Sequence, residues 1–226
     1  MNTETEKIKE RYAKRAASET VLKHSQSAVY NEFSREEKER VFERFIRQYV
    51  GDPEKLSVLE IGAGGGINIS FFKNIGVPAH QIFGNELLAE RVEDLQLRHP
   101  DIHIIAGDAL QIDENTFGKM DVIFQSTVFT SILDDGFKSK LAEKMKALLK
   151  PNGMVLWYDF VYNNPSNKDV KGVPVAEVRT LFPDFDFHFE KVTLAPPIGR
   201  RVGSMYPLFN ALPFLRTHVV GAGIRL

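Results

Sequence analysis

The sequence predicts an α/β fold with a doubly wound sheet, and two observations predict it. Short apolar runs alternate with helix-length segments along most of the 226 residues, and the first run breaks into a glycine-rich turn before a helix. Strands separated by helices favour parallel pairing through crossovers, with helices on both faces of the sheet. A chain of this length buries a core without disulfides or metals. It contains no cysteine, which removes a disulfide framework and a thiolate zinc site and fits a reducing compartment.

Taken in order, residues 1–30 are polar and mixed in charge, with Ile8, Tyr12, Val21, Leu22 and Tyr30 as larger apolar anchors, and read as a loosely held helical arm. From Ser34 the segment SREEKERVFERFIRQYV offers Ser34 as an N-cap with Glu37 three residues on. Val41, Phe42, Phe45, Ile46, Tyr49 and Val50 then mark one helical face, and Gly51, Asp52 and Pro53 end it. The strand-like runs that follow are LSVLEIG (56–62), HQIFGNE (80–86), IHIIAGD (102–108), MDVIFQS (120–126) and GMVLWYDFVY (153–162). Candidate helices lie between them at 66–75, 87–98, 135–149 and 174–182. FDFHFEKVTL (185–194) alternates like a strand, APPIGRRVGSMYPLFNALPFLR intervenes, and THVVGAGIRL closes the chain as a final apolar strand. With no repeat or low-complexity linker, one domain is expected: an arm over 1–50, a core over 51–196, and an insert with the last strand over 197–226.

Composition excludes several classes. The 29 basic and 30 acidic side chains leave no field to hold a nucleic-acid backbone, so no nucleic-acid partner is expected. MNTETEKIKERYAKR lacks the apolar core of a secretory signal and no stretch approaches ~18 uninterrupted apolar residues, so the expectation is a cytoplasmic protein, monomer or homodimer, without an integral membrane segment. Asn164-Pro165-Ser166 is no glycosylation acceptor because proline holds its middle position. From Lys191 to Leu226 there are five basic residues and no acid; that tail prefers anions.

The glycine turn VLEIGAGGG decides between two cofactor classes. A dinucleotide fingerprint G-x-G-x-x-G would run Gly62, Gly64 and position 67, where Ile67 is too bulky for the close packing that a third small residue permits. The spacing E-x-G-x-G-x-G is met in full by Glu60, Gly62, Gly64 and Gly66. Glycines at the carboxyl end of a first strand let the backbone approach a ligand and present amides at the next helix.

VLEIGAGGG resembles motif I of the class I methyltransferases that use S-adenosylmethionine, a family with a seven-stranded, mostly parallel, Rossmann-like sheet whose last strand is antiparallel. The resemblance spans roughly residues 55–162. It implies that Glu86, in IFGNELL, receives the ribose hydroxyls and that Asp108, in Gly107-Asp108-Ala109, accepts the adenine amino group. MDVIFQSTVFTSILDD and the K-P-x-G turn of LKPNGMVLWYDF also match the family pattern. Cofactor-binding roles thereby fall to Glu60, Gly62, Ala63, Gly64, Gly66, Glu86, Leu87, Asp108, Ala109 and Gln125. Taken singly, the glycines could be only a tight turn, Glu86 a helix N-terminal acid and Asp108 a strand-end cap. Three such features at successive strand ends, in family order, favour the joint reading.

The family's chemistry implies alignment of an acceptor with an electrophilic methyl group and exclusion of water. A hydroxyl acceptor must lose its proton, for which Asp159 and His218 are the candidate groups. Asp159 in an apolar strand is costly unless paired or hydrogen-bonded, so a structural hydrogen-bond acceptor is an equal reading. Tyr158 points to the opposite face and joins Arg200 and Arg201 as a candidate acceptor-binding residue, with a solvated basic loop as the alternative for the arginines. Arg216 is expected beside them near the site's rim. His188 lies at the wrong strand end and reads as surface. Tyr12 and His24 could close over the cofactor. Gln125-Ser126-Thr127-Val128 stands where amino-methylating relatives carry a Pro-Pro-Tyr motif, which argues against amide or base nitrogens as acceptors. The aromatic insert suits an acceptor pocket or a peripheral membrane contact, and NNPSNKDVKG, LAPPIGRRV and LPFLRTH look like bacterial methyltransferases of glycan or cell-envelope assembly. The expected activity is O-methylation of a sugar or other hydroxylated, anionic small molecule, with no metal centre. Competing readings are a nicotinamide-dependent oxidoreductase, a quinone or lipid methyltransferase, and a noncatalytic S-adenosylmethionine-binding protein.

Overall fold

The computed structural model describes residues 3–18, 24–164 and 167–226. Val21, Leu22, Pro165, Ser166 and the side chain of His24 lie outside the described parts. Seven strands, β1 (Val58–Ile61), β2 (Ile82–Glu86), β3 (His103–Ala106), β4 (Met120–Ser126), β5 (Leu149–Phe160), β6 (Phe185–Leu194) and β7 (Arg216–Arg225), form one sheet in the order β3-β2-β1-β4-β5-β7-β6. The pairs among β1 to β5 are parallel, whereas β7 runs antiparallel to both β5 and β6. The doubly wound, mostly parallel sheet with an antiparallel last strand is therefore present. Its strand order reverses direction at β1, and the crevice between β1 and β4 is where such sheets place their ligands.

Strand alternation sends the two faces of the sheet into two apolar cores. Leu59, Ile61, Ile123, Val155, Trp157 and Val219 pack with Ile8, Phe129, Met145, Val178 and Phe182 on one side. Val58, Val122, Phe124, Leu156, Tyr158 and Val220 pack on the other with Val41, Phe42, Phe45, Ile46, Ile69 and Phe72. The helices on that second side include α2 (His24–Tyr49) and α3 (Ile67–Asn74); the first side carries α1 (Glu4–Ser18) and, further along, α6 (Asp135–Ala147) and α7 (Val175–Leu181). Helix α4 (Ala89–Arg98) and the single turn α5 (Glu114–Phe117) complete the crossovers.

Two local expectations change, and the insert gains a defined structure. Ser34 is not an N-cap: α2 begins at His24, and the Ser34 hydroxyl donates back to the Asn31 carbonyl at 3.2 Å, an interaction of a helix interior. The arm is held rather than loose. Within α1, Thr5 donates to Asp108 at 2.8 Å, Arg11 bridges Glu4 at 2.7 Å and the Ser131 carbonyl at 2.9 Å, and Glu4 accepts from the Leu133 amide at 3.1 Å. The insert is helical, with α8 (Pro196–Val202) and α9 (Tyr206–Asn210) capped by a 3-10 turn at Pro213–Leu215. Its small core joins Tyr206 and Leu194 to Tyr30 and Phe33 of α2, the Phe33 and Tyr206 rings stacking at 5.4 Å. Glu37 ties the insert down, accepting from Asn210 at 2.7 Å, Tyr206 at 3.2 Å and the Thr193 amide at 2.9 Å.

Candidate functional site

The turn after β1 follows from its glycines. Gly62, Gly64 and Gly66 hold φ values of 70°, 55° and 78°, a left-handed region that side chains other than glycine rarely adopt. A Cβ on Gly62 would lie 2.7 Å from Val128, and one on Gly66 would lie 2.6 Å from the His99 ring and 2.8 Å from Leu95. Around Gly64 a Cβ would meet nothing within 4 Å. Two glycines thus permit close packing of the protein on itself, and the middle one faces open space where a ligand can approach the main chain. Close packing belongs to Gly66, while Ile67 begins α3 with its side chain 64% exposed. That register is not the dinucleotide one.

Backbone bonds lock the neighbouring strand ends to the turn. The Ala63 amide donates to the Asn85 carbonyl at 2.8 Å, and the Gly107 amide to the Glu86 carbonyl at 2.8 Å. The Asn85 side chain donates to the carbonyls of Ile105 and Gly107, each at 3.0 Å. Glu86 spans the gap, one carboxylate oxygen accepting from the Gly64 amide at 2.8 Å and the other from Leu88 at 2.9 Å. Asp108 caps its own turn by accepting from the Leu110 amide at 2.9 Å, and its second oxygen takes the Thr5 hydroxyl of α1.

These groups surround a cavity of about 310 Å³ at the carboxyl edge of the sheet. Of the residues expected from sequence to bind cofactor, Gly62, Ala63, Gly64, Glu86, Leu87, Asp108 and Ala109 line it. Glu60, Gly66 and Gln125 stand behind that lining. Gln125, fully buried, accepts from the Val128 amide at 3.1 Å and donates to the Tyr158 carbonyl at 3.4 Å, which shapes the loop Ser126–Val128 on the cavity wall. Glu60 is fully buried and accepts from Asn68 at 2.6 Å; its second oxygen and the Asn68 carbonyl oxygen have no partner. Burial raises the Glu60 carboxyl to about 8 against the lowering effects of Asn68 and Lys38.

Neither proton-transfer candidate lines the cavity. Asp159 is fully buried, accepts from the amides of Thr130 at 3.3 Å and Phe160 at 3.2 Å, and is raised to about 7 by burial. His218 stacks on Tyr158 at 5.2 Å, and burial with the nearby Lys38 cation lowers it to about 4, which keeps the ring neutral. Tyr158 faces α2 and shares its hydroxyl hydrogen with Thr193 at 3.0 Å. Arg200 and Arg201 are exposed on α8, Arg200 over the Tyr30 ring at 6.0 Å, and they do not reach the cavity. Arg216 donates to the carbonyls of Asn210 at 2.8 Å and Lys191 at 2.9 Å, which anchors the insert. His188 is exposed beside Asp186 at 3.2 Å and stacked on Tyr49. Tyr12 does line the cavity, its hydroxyl 3.3 Å from that of Ser131, with Arg91 over its ring at 4.6 Å.

Sequence reasoning missed Lys38, Asn68, Thr5 and Arg91, all lining residues. Lys38 sits 4.9 Å above the Tyr158 ring on the inner side of α2, and burial lowers its pKa against the raising fields of Glu39 and Glu60. In sequence it is one charge among the six of the run REEKER, so nothing marks it as inward. Asn68 carried a signal: a polar residue in the first turn of the helix that follows the glycines, eight positions after the glutamate that opens the motif.

A family model described as a methyltransferase domain matches residues 30–190. No curated protein matches the sequence significantly. Among solved structures, the chain is similar to Burkholderia thailandensis 1,6-didemethyltoxoflavin-N1-methyltransferase, determined with 1,6-didemethyltoxoflavin and S-adenosylhomocysteine bound, at 15% identity and TM-score 0.65, covering 100% of this chain and 91% of that one. It is also similar to magnesium protoporphyrin IX methyltransferase of Synechocystis PCC 6803, with bound S-adenosylmethionine, at 11% identity and TM-score 0.61, covering 100% and 99%. A Bradyrhizobium japonicum N-methyltransferase in complex with S-adenosylhomocysteine follows at 14% identity and TM-score 0.60, covering 82% and 86%. At these identities the likeness speaks for the fold.

Proposed function

The chain belongs to the methyltransferase-domain family, and from that premise we propose that it binds S-adenosylmethionine in the cavity at the β1 turn and methylates a small-molecule acceptor, the finer reading being O-methylation of a sugar or other hydroxylated compound that bears an anionic group. The observation that carries this reading is the open face of Gly64 beside the Glu86 carboxylate. The residues present fit such a cofactor. Leu87 and Ala109 offer apolar surface for an adenine ring, with Asp108 at its edge. Glu86 has carboxylate lone pairs left for ribose hydroxyls after serving two amides. At the other end, the unpartnered side-chain oxygen of Asn68, backed by Glu60, suits an ammonium, and Lys38 suits a carboxylate.

When bound, the cofactor supplies an electrophilic methyl group. The protein's own work is then to orient and to exclude water. Helix α1 covers the cavity through Thr5, Ile8 and Tyr12, and the Ser126–Val128 loop, held by Gln125, sets its far wall. The acceptor enters on the α2 side, past the helix that carries Lys38. Neither His218, stacked behind Tyr158, nor Asp159, which holds Thr130 in place, reaches the cavity, so neither is proposed as the proton acceptor. A second reading, a lipid or quinone acceptor, is favoured by the apolar side chains that the insert exposes.

Calorimetry tests the cofactor assignment. S-adenosylhomocysteine should bind saturably while NADH does not, and Glu86→Gln should weaken binding by roughly ten- to a hundred-fold, the loss expected when a charged hydrogen-bond acceptor becomes a neutral amide. Absence of any S-adenosylhomocysteine binding overturns the proposal. Incubation with labelled donor and a panel of nucleotide sugars, phenols and quinones separates the acceptor classes, and binding without turnover on any of them favours a noncatalytic role.

A further inference from the structure

The insert exposes apolar side chains that neither its own core nor the cavity uses. Among the described residues, Phe214 is 73% exposed, Leu208 67%, Met205 53% and Leu212 42%, all within one ten-residue stretch of α9 and its flanking turns. Isolated exposed apolar residues need no explanation, but a concentrated group rimmed by one sign of charge marks an interaction surface. The segment's own exposed charges are cationic. Arg200 and Arg201 are exposed on α8, and no acidic residue occurs between Lys191 and the end of the chain.

We infer that this face, made by α8, α9 and the turn at Pro213–Leu215, docks peripherally on an anionic lipid bilayer. Charge complementarity selects that occupant. A segment whose own charges are all basic gains from the negative potential of anionic headgroups, while leucine, methionine and phenylalanine side chains enter the interfacial zone beneath them. A second copy of the chain would bring the same arginines against each other and gains nothing from them.

The face is rigidly mounted. Glu37 bonds Asn210 and Tyr206 of the insert, and the next residue along α2, Lys38, lines the cavity. Docking therefore fixes the cavity's orientation to the bilayer, and an acceptor borne by that membrane approaches on the α2 side. That consequence rests on the methyl-transfer reading; the surface itself does not, and vesicle binding tests it without turnover.

Co-sedimentation of the full chain with phosphatidylcholine vesicles, with and without phosphatidylglycerol, is the test. Binding is expected only with phosphatidylglycerol, decreasing as salt rises. The double substitution Leu208→Ser with Phe214→Ser should cut it by about ten-fold or more, and Arg200→Ala with Arg201→Ala should remove its dependence on phosphatidylglycerol, with thermal melts unchanged because all four side chains are exposed. Failure to bind the anionic vesicles, or binding that both double variants leave intact, overturns the inference. So does a dimer in analytical ultracentrifugation that the apolar double variant dissociates while vesicles are ignored.

Discussion

Among single residues, the fold buries titratable groups behind the cavity wall, and that burial sets their protonation. Glu60 is the clearest case, since burial raises it from its ordinary 4.5 to about 8. A carboxyl raised on folding binds a proton more tightly in the native than in the unfolded chain, so its contribution to stability is complete below pH 4.5 and is lost as the pH climbs through 8. Glu60→Gln keeps an acceptor for Asn68 and removes the titration. Thermal melts should show the variant gaining most over the parent protein near pH 8.5 and little near pH 5; a constant difference across that window would show that Glu60 does not titrate as placed. His218 is shifted the opposite way, to about 4, and its contribution is lost as the pH falls between 6.5 and 4. The two residues thus act in opposite directions over overlapping pH ranges, and the melts of Glu60→Gln isolate one of them.

At the scale of elements, α1 was expected from sequence to be a loosely held arm, and its real hold comes from partners more than a hundred positions away. Arg11 reaches the Ser131 carbonyl and Glu4 the Leu133 amide, so the helix and the loop after β4 stabilise each other across the cavity. Arg11→Ala removes a partly buried charge-assisted pair and frees Glu4. Hydrogen exchange at the Leu133 amide should quicken by about ten-fold, with exchange in β1 and β4 unchanged. Equal protection in both proteins would mean that α1 is held by Ile8 and its apolar neighbours alone. The turn after β1 is the reverse case. Its three left-handed glycines are readable directly from the spacing, because no other residue type takes those angles cheaply.

At the scale of the whole molecule, Glu37 joins the insert to the body through Asn210, Tyr206 and Thr193, with Arg216 at 3.8 Å. Removing it leaves several buried partners unsatisfied, including Asn210, whose side-chain oxygen already lacks a partner. Glu37→Ala should cost about 3 kcal/mol in urea unfolding and do so in one transition, the insert and the sheet melting together. An early separate transition would show the insert to be an independent unit. The order of amino acids alone specified the strands, the crossovers, the glycine turn and the acids at the ends of β2 and β3, because periodicity, left-handed backbone and chain order are local properties. It determined much less about which charges meet. Lys38 inside the cavity, Glu37 beneath the insert, and Arg200 and Arg201 turned away from the site to the surface were settled only when α2 packed along the sheet. A helix's facing direction depends on what it packs against, and that packing joins residues far apart in the chain.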